Sequence, residues 1–224
     1  MTDGKKFTQT KAFDLLMGVP LIIWFGYVEG VRLRPALAAT ARAVLAEPNL
    51  LHNLQFFGLF AAVAFNFLAV YLIVMRDSPV KRPRGVLPYL AGFVGTFIGV
   101  GIQFLKPVTL PLGLQLVSST LSCLGFVACC IVLAKLGKSF SIVPEARALL
   151  TGGPYSLARH PLYVMEIVAI VGVSLQFQQP WSTLFSLAVI VMLVVRTHFE
   201  EQILTEAFPE YVEYRKRVKR FGFV

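Results

Sequence analysis

Apolar residues in this chain do not alternate, and they do not recur against a polar face. They come in long runs with few polar residues among them. Six stand out, at residues 12–31, 54–75, 86–105, 112–134, 161–177 and 181–196. Runs of about 17 to 25 apolar residues match the hydrocarbon thickness of a bilayer when helical. Inside that layer backbone groups must satisfy one another, which favours helix. The pattern predicts an all-α integral membrane protein with about six transmembrane helices. Only Gln178, Gln179 and Pro180 separate the last two runs, so these form an antiparallel helical hairpin.

The first run has a second reading. Lys5, Lys6 and Lys11 precede it and Ala36-Leu37-Ala38 follows, as in a signal peptide. Glu29, Arg32 and Arg34 crowd the supposed cleavage site, which favours a retained span. Past residue 196 the pattern changes. Ile203, Leu204, Ala207 and Phe208 make an apolar stripe, Pro209 opens a second short helix, and bases alternate with Tyr211, Val212 and Val218. This reads as an amphipathic cytoplasmic tail lying in the interface. The chain divides into N-terminal transmembrane helices over 1–135 and a loop, hairpin and tail over 136–224.

Composition agrees. Hydrophobic residues make up 56% and charged residues 15% of the chain. Soluble domains carry about 25% charged residues. The net charge of +9 is explained once the spans are placed. Lys5, Lys6 and Lys11, then Arg76, Lys81, Arg82 and Arg84, then Lys135, Lys138, Arg147 and Arg159, then Arg196 and the bases of the tail, all fall on one side. Arg32, Arg34, Arg42 and Lys106 fall on the other. Basic loops mark the cytoplasmic side, so both termini are expected there, with the tail against anionic headgroups. Nucleic acid is not needed to explain the charge. The absence of a long extension or sorting tail points to a bacterial inner membrane, or to the endoplasmic reticulum if the chain is eukaryotic.

Cys123, Cys129 and Cys130 lie in one apolar run and read as packing residues; they show no metal or disulfide spacing. His52 and His198 have no metal-ligand partners in the sequence, so no metal is expected. Glu29, an acid within a predicted span, is a weaker functional candidate.

The informative chemistry gathers on the basic side. The loop "KLGKSFSIVPEARALLTGGPYSLARH" is longer and more polar than a connector requires. Gly152, Gly153 and Pro154 make a turn, and Pro161 opens the fifth run, where its missing N–H costs nothing. Arg159 and His160 therefore lie at a helix N-terminus, a natural seat for an anionic group. Glu166 follows within the same run. At the end of the sixth run Arg196 and Glu200 share a helical face, and Glu201 adds a second carboxylate. Singly, each has an ordinary reading: arginines as headgroup anchors, His160 as a cap, Tyr155 and Tyr163 as interfacial aromatics. Their concentration on one face favours a pocket for a ligand carrying both charges.

"GGPYSLARHPLY" followed by "EEQILTEAFPEYVEYRKRV" resembles the isoprenylcysteine carboxyl methyltransferase-like family of membrane methyltransferases, with phospholipid methyltransferases as distant relatives. The ordered set is Arg-His-Pro-x-Tyr, a hairpin, Glu-Glu-x-x-Leu and Phe-x-x-Tyr-x-x-Tyr, covering 136–220. The resemblance implies S-adenosyl-L-methionine as methyl donor. It implies that Glu145, Arg147, Ala148, Leu149, Leu150, Tyr155, Arg159, His160, Pro161, Leu162, Tyr163, Glu200 and Glu201 hold that donor. Arg196 and Glu200 would be the catalytic pair, with Arg196, Met165 and Glu166 meeting a lipophilic small-molecule, lipid or prenylated acceptor. The family often has glycine where this chain has Met165. The expected reaction is carboxyl O-methylation of an isoprenylcysteine-like substrate. The alternatives are N-methylation of a phospholipid amine, a non-catalytic scaffold, or an NADPH-dependent enzyme resembling sterol reductases.

Overall fold

The computed structural model describes residues 11–222, so the expected basic residues Lys5 and Lys6 lie outside the described residues. The elements are α1 (Lys11–Val28), a π-helical insert (Glu29–Leu33), α2 (Arg34–Ala46), α3 (Leu50–Met75), α4 (Leu87–Val100), α5 (Leu112–Leu136), α6 (Pro161–Ser174), α7 (Trp181–Ala207) and α8 (Tyr211–Arg217). No strand forms among the described residues, and the protein is a helical membrane protein. Five helical stretches are long and apolar enough to cross a membrane: Lys11–Ala46, Leu50–Met75, Leu87–Phe104, Leu112–Ser139 and Trp181–Ala207.

Two expected boundaries are corrected. The first run does not end at residue 31. Helix continues through the π-helical insert into α2, so Arg34 and Arg42 sit on a helix rather than in a loop. The alanine-rich stretch after Pro35 has high intrinsic helix propensity, and a proline in the first helical turn is tolerated. The fifth run forms only the 14-residue α6. At 1.5 Å per residue α6 spans about 21 Å, against about 37 Å for α5 and about 40 Å for α7.

α6 nevertheless joins the two ends of the bundle. Beyond it, Val108 N–H donates to the Gln176 carbonyl and Gln178 N–H to the Lys106 carbonyl. At the other end the 76–86 loop pairs with the long 137–160 loop: Val80 and Lys81 N–H donate to the Ala146 carbonyl, and Ala146 N–H donates back to Lys81. The α6 N-terminus meets α7 at Glu200, so α7 runs on past it to Ala207. The long loop and α8 fill the space above the α6 N-terminus. That recess is where the site forms.

Packing explains why α6 sits so close to α5. A Cβ on Gly125 would lie 2.5 Å from the Ala169 nitrogen, and one on Gly172 would lie 2.5 Å from the Ser122 nitrogen. Small residues permit such backbone approach in membranes. Ser118 and Ser122 are buried along the same face of α5, and Ser118 Oγ donates to the Gly172 carbonyl at 2.9 Å. Large apolar side chains point outward instead, among them Ile23, Phe57, Phe67, Tyr71, Leu124, Ile131, Leu187 and Val191. Small and hydroxyl-bearing residues at the helix contacts, with large apolar side chains facing outward, suit a lipid surround.

Candidate functional site

Two acids on α7 face different ways, because adjacent helical residues are about 100° apart. Glu200 turns toward α6. It accepts a hydrogen bond from Tyr163 Oη, a second from Arg196 Nε at 3.0 Å, and lies 3.6 Å from His160 Nδ1. Arg196 also donates from Nη2 to the Ser141 carbonyl at 2.6 Å, and its guanidinium lies 5.1 Å above the Tyr163 ring. His160 stacks on the same tyrosine with ring centroids 5.5 Å apart. One carboxylate thus ties together the long loop, the N-terminus of α6 and α7.

Glu201 turns to the tail. Arg220 grips it bidentately, with Nε on Oε1 at 2.9 Å and Nη2 on Oε2 at 2.8 Å. Arg159 approaches Oε2 at 3.2 Å and His160 Nε2 lies 3.1 Å from Oε1. Backbone reinforces the clamp: Arg159 N–H donates to the Lys219 carbonyl and His160 N–H to the Arg220 carbonyl, both at 3.0 Å. The chain beyond α8 is therefore strapped across the Arg-His-Pro segment. Tyr214 Oη donates to the Tyr155 carbonyl, and burial pushes the Tyr214 phenol up to about 12, so it remains a donor.

Burial works against charge on His160, but Glu200 and Glu201 outweigh it and hold its pKa above the ordinary value of 6.5. The sign follows. A raised folded-state pKa contributes stability that is fully present below 6.5 and is lost as pH rises through the raised value. The wild-type protein is therefore expected to lose thermal stability as pH climbs above 6.5, and His160→Gln to show a flatter profile. Melting curves across that range check this.

The Arg-His-Pro segment and α7 border a solvent-open cleft. Of the residues expected to hold the donor, Glu145, Arg147, Ala148, Leu149 and Leu150 line it from the loop. Tyr155, Arg159, His160, Leu162, Tyr163 and Glu200 line it around the α6 N-terminus, as does Arg196. Pro161 and Glu201 do not line it. Pro161 starts the helix from behind, and Glu201 supports His160 from the tail side. Glu145 lines the cleft while holding its neighbours: it takes Arg82 Nη1 at 2.6 Å, Arg147 Nη2 at 2.6 Å and Ser141 Oγ at 2.9 Å, with 3% of its side chain exposed.

A second, larger cavity opens deeper in the bundle. It is mostly apolar, bordered by Phe25, Phe65 and Phe126, by Gly92, Gly95 and Gly99 of α4, and by Val189 and Met192 of α7. Glu166 and Arg196 also line it. Phe140, Leu162, Tyr163 and Arg196 border both spaces and form the wall between them. The expectation for Met165 changes here. Met165 borders neither cavity and packs against the hydrophobic core. Helical spacing puts it on the stripe of Ala169 and Gly172, which press on α5.

Several residues at the site carried no sequence signal. Phe140 and Ser141 lie in irregular backbone, and Arg220 is one base among many in the tail. The Gly92-x-x-Gly95-x-x-x-Gly99 spacing was legible, since it puts a small-residue stripe on one helical face. Cys129 lies in the core, as a packing residue should, and also borders the apolar cavity.

With this geometry established, comparison with known proteins adds what the chain is similar to. Residues 107–211 match the phospholipid methyltransferase family. The resemblance read from the motifs is thereby supported over a wider stretch. The phospholipid methyltransferase match takes in α5, the partner of α6, and it ends at Tyr211, before the strap. The chain is also 39% identical over 74 residues to the cobalt-zinc-cadmium resistance protein CzcN of Cupriavidus metallidurans, covering 33% of this chain and 34% of that protein. It is 35% identical over 78 residues to the nickel-cobalt-cadmium resistance protein NccN of Alcaligenes xylosoxydans xylosoxydans, covering 34% and 37%. The match thus spans about a third of the length of each relative. Among the described residues no group of three or more His, Cys, Asp or Glu side chains is placed to hold a metal ion.

Proposed function

We propose that this protein is an S-adenosylmethionine-dependent methyltransferase acting on a lipophilic acceptor. The observation that carries the reading is the meeting of a polar, solvent-open cleft and an apolar intramembrane cavity at one wall, Phe140, Leu162, Tyr163 and Arg196. A water-soluble donor and a lipid-soluble acceptor need that arrangement to share one reaction centre.

The cleft residues fit the donor. Leu136, Leu149, Leu150 and Leu204 offer apolar surface for an adenine ring. Glu200 offers a carboxylate for the positive groups of the methionyl end, and Arg147, Arg159 and His160 offer partners for its carboxylate. When bound, S-adenosylmethionine supplies an electrophilic methyl group on a sulfonium.

The chain's own part is orientation and exclusion of water. Glu200, fixed by Tyr163 and Arg196, holds the cleft side of the wall rigid. Phe140 and Leu162 keep water from the apolar side. Arg196 borders both spaces and could orient an acceptor carboxylate, which needs no base because it is ionised at neutral pH. That supports carboxyl O-methylation of an isoprenylcysteine-like substrate. Glu166, which lines the apolar side, supports an amine acceptor instead. The gathering of basic residues at the cleft end supports a cytoplasm-facing site, and the bacterial relatives support an inner-membrane location.

Calorimetry on the purified protein tests the reading. Micromolar binding of S-adenosylhomocysteine without binding of NADPH is the expected result. Binding of NADPH alone would make the protein a reductase, and binding of neither a scaffold.

A further inference from the structure

We infer that Arg220, a tail residue outside the donor cleft, is a positioning residue that sets the cleft's preference for a ligand ending in a carboxylate, acting through Glu201 on Arg159 and His160. This rests on the methyltransferase reading, since the carboxylate concerned is that of the donor's methionyl end. Arg220 lies beyond the stretch 107–211 that matches the phospholipid methyltransferase family. Arg159 and His160 line the cleft, whereas Glu201 and Arg220 do not. Behind the cleft wall the four side chains form one unit. Arg220 donates from Nε to Glu201 Oε1 at 2.9 Å and from Nη2 to Oε2 at 2.8 Å. Each carboxylate oxygen can accept twice. The remaining place on Oε1 faces His160 Nε2 at 3.1 Å, and that on Oε2 faces Arg159 Nη1 at 3.2 Å.

The fork of Arg220 works in two ways, both of one sign. The first is geometric. A carboxylate turns easily about its last torsion, and a planar two-point grip fixes its plane. Glu201 then holds the two cleft bases at set positions. The tail backbone holds the same pair, through Arg159 N–H on the Lys219 carbonyl and His160 N–H on the Arg220 carbonyl. The Phe221 ring also flanks His160, with centroids 6.3 Å apart. The second is electrostatic. Glu201 is buried, so its charge acts strongly on what surrounds it. Arg220 answers that charge at both oxygens. Without it, the charge would fall on Arg159 and His160 alone, and they would present less positive potential to an anion in the cleft. The other bases lining the cleft answer to different acids, Arg147 to Glu145 and Arg196 to Glu200. The tail therefore controls the cleft through Arg159 and His160.

The test is calorimetry on the purified full chain with two ligands. S-adenosylhomocysteine carries the carboxylate. Its decarboxylated analogue keeps the adenosine, the sulfur and the amine and lacks only that group. The wild type should bind S-adenosylhomocysteine about tenfold more tightly than the analogue, the scale of one charge-assisted hydrogen bond. Arg220→Gln should bring that ratio to within about threefold, with the affinity for the analogue changed less than about twofold. Arg220→Lys keeps the charge without the fork and should fall between the two, so it decides the matter alone if Arg220→Gln does not fold. Arg217→Gln removes an equal charge from an exposed position on α8 and should leave the ratio as it is. Equal weakening of both ligands in the Arg220 variants would show a role in folding alone and overturn the proposal. An unchanged ratio in those variants would overturn it too, as would an equal fall in Arg217→Gln. A wild type that binds neither ligand overturns the methyltransferase reading and this role with it. A wild type that binds both, with variants that keep its ratio, removes only the role of Arg220.

Discussion

Replacing Glu200 by alanine is expected to abolish detectable binding of S-adenosylhomocysteine and to lower stability by about 3–5 kcal/mol, the usual cost of breaking a buried ion pair from one side. The reason is the number of groups that depend on this carboxylate. It neutralises Arg196, which is 8% exposed, and it accepts from Tyr163 Oη. It also helps hold charge on His160, which is 6% exposed. Removing it leaves a guanidinium over an aromatic ring with no carboxylate bonded to it, and only Glu166 to act on it across space. Glu200→Gln should bind weakly rather than not at all, since the amide oxygen still accepts from Tyr163 while the charge is gone. Glu213→Ala is the control. Glu213 pairs with Lys216 on α8, where both side chains are more than half exposed, and such surface pairs contribute about 0–1 kcal/mol. Melting temperature and calorimetry on the three variants check the series.

The second large effect is expected far from any charge. Gly125→Ala should lower stability by about 1–3 kcal/mol or more, the cost of overpacking a tight interior, and weaken S-adenosylhomocysteine binding with it. The added Cβ would stand 2.5 Å from the Ala169 nitrogen and 2.6 Å from its Cα. Those are backbone atoms, so no side-chain rotation relieves the clash and α6 must move off α5. α6 carries Leu162, Tyr163 and Glu166, so the wall between cleft and cavity moves with it. Gly113→Ala, in the same helix, meets nothing within 4 Å. It should be neutral or slightly stabilising, because alanine is the better helix former. Chemical denaturation of both variants in the same lipid environment separates them.

The two predictions draw on different parts of what the sequence made legible. The ion-pair cluster was readable because buried-edge charges are rare in membrane helices and need partners. Arg196 and Glu200 are four apart on one face, and Arg-His-Pro marks a helix start, so their convergence followed from the hairpin. The short length of α6 was not readable. Residues 161–177 look as apolar as the other runs, and only the tertiary pairing of 106–108 with 176–178 ends the helix at Ser174. The continuation of the first run into α2 was hidden for the converse reason. Arginines at 32, 34 and 42 read as a loop, yet helix propensity carries through them. Glu201 looked interchangeable with Glu200. Its commitment to Arg220 depends on where the strap lies, which no local pattern encodes. Met165 drew attention as a departure from a family pattern, but its helical phase turns it toward the core.

The most direct test of the account is transfer of tritium from methyl-labelled S-adenosylmethionine in membranes carrying the protein, with lipid and protein products separated by extraction. The account predicts label in the lipophilic fraction with the wild type, and none above background with Glu200→Ala. No label above that of membranes lacking the protein would contradict it, as would equal labelling by the Glu200→Ala variant.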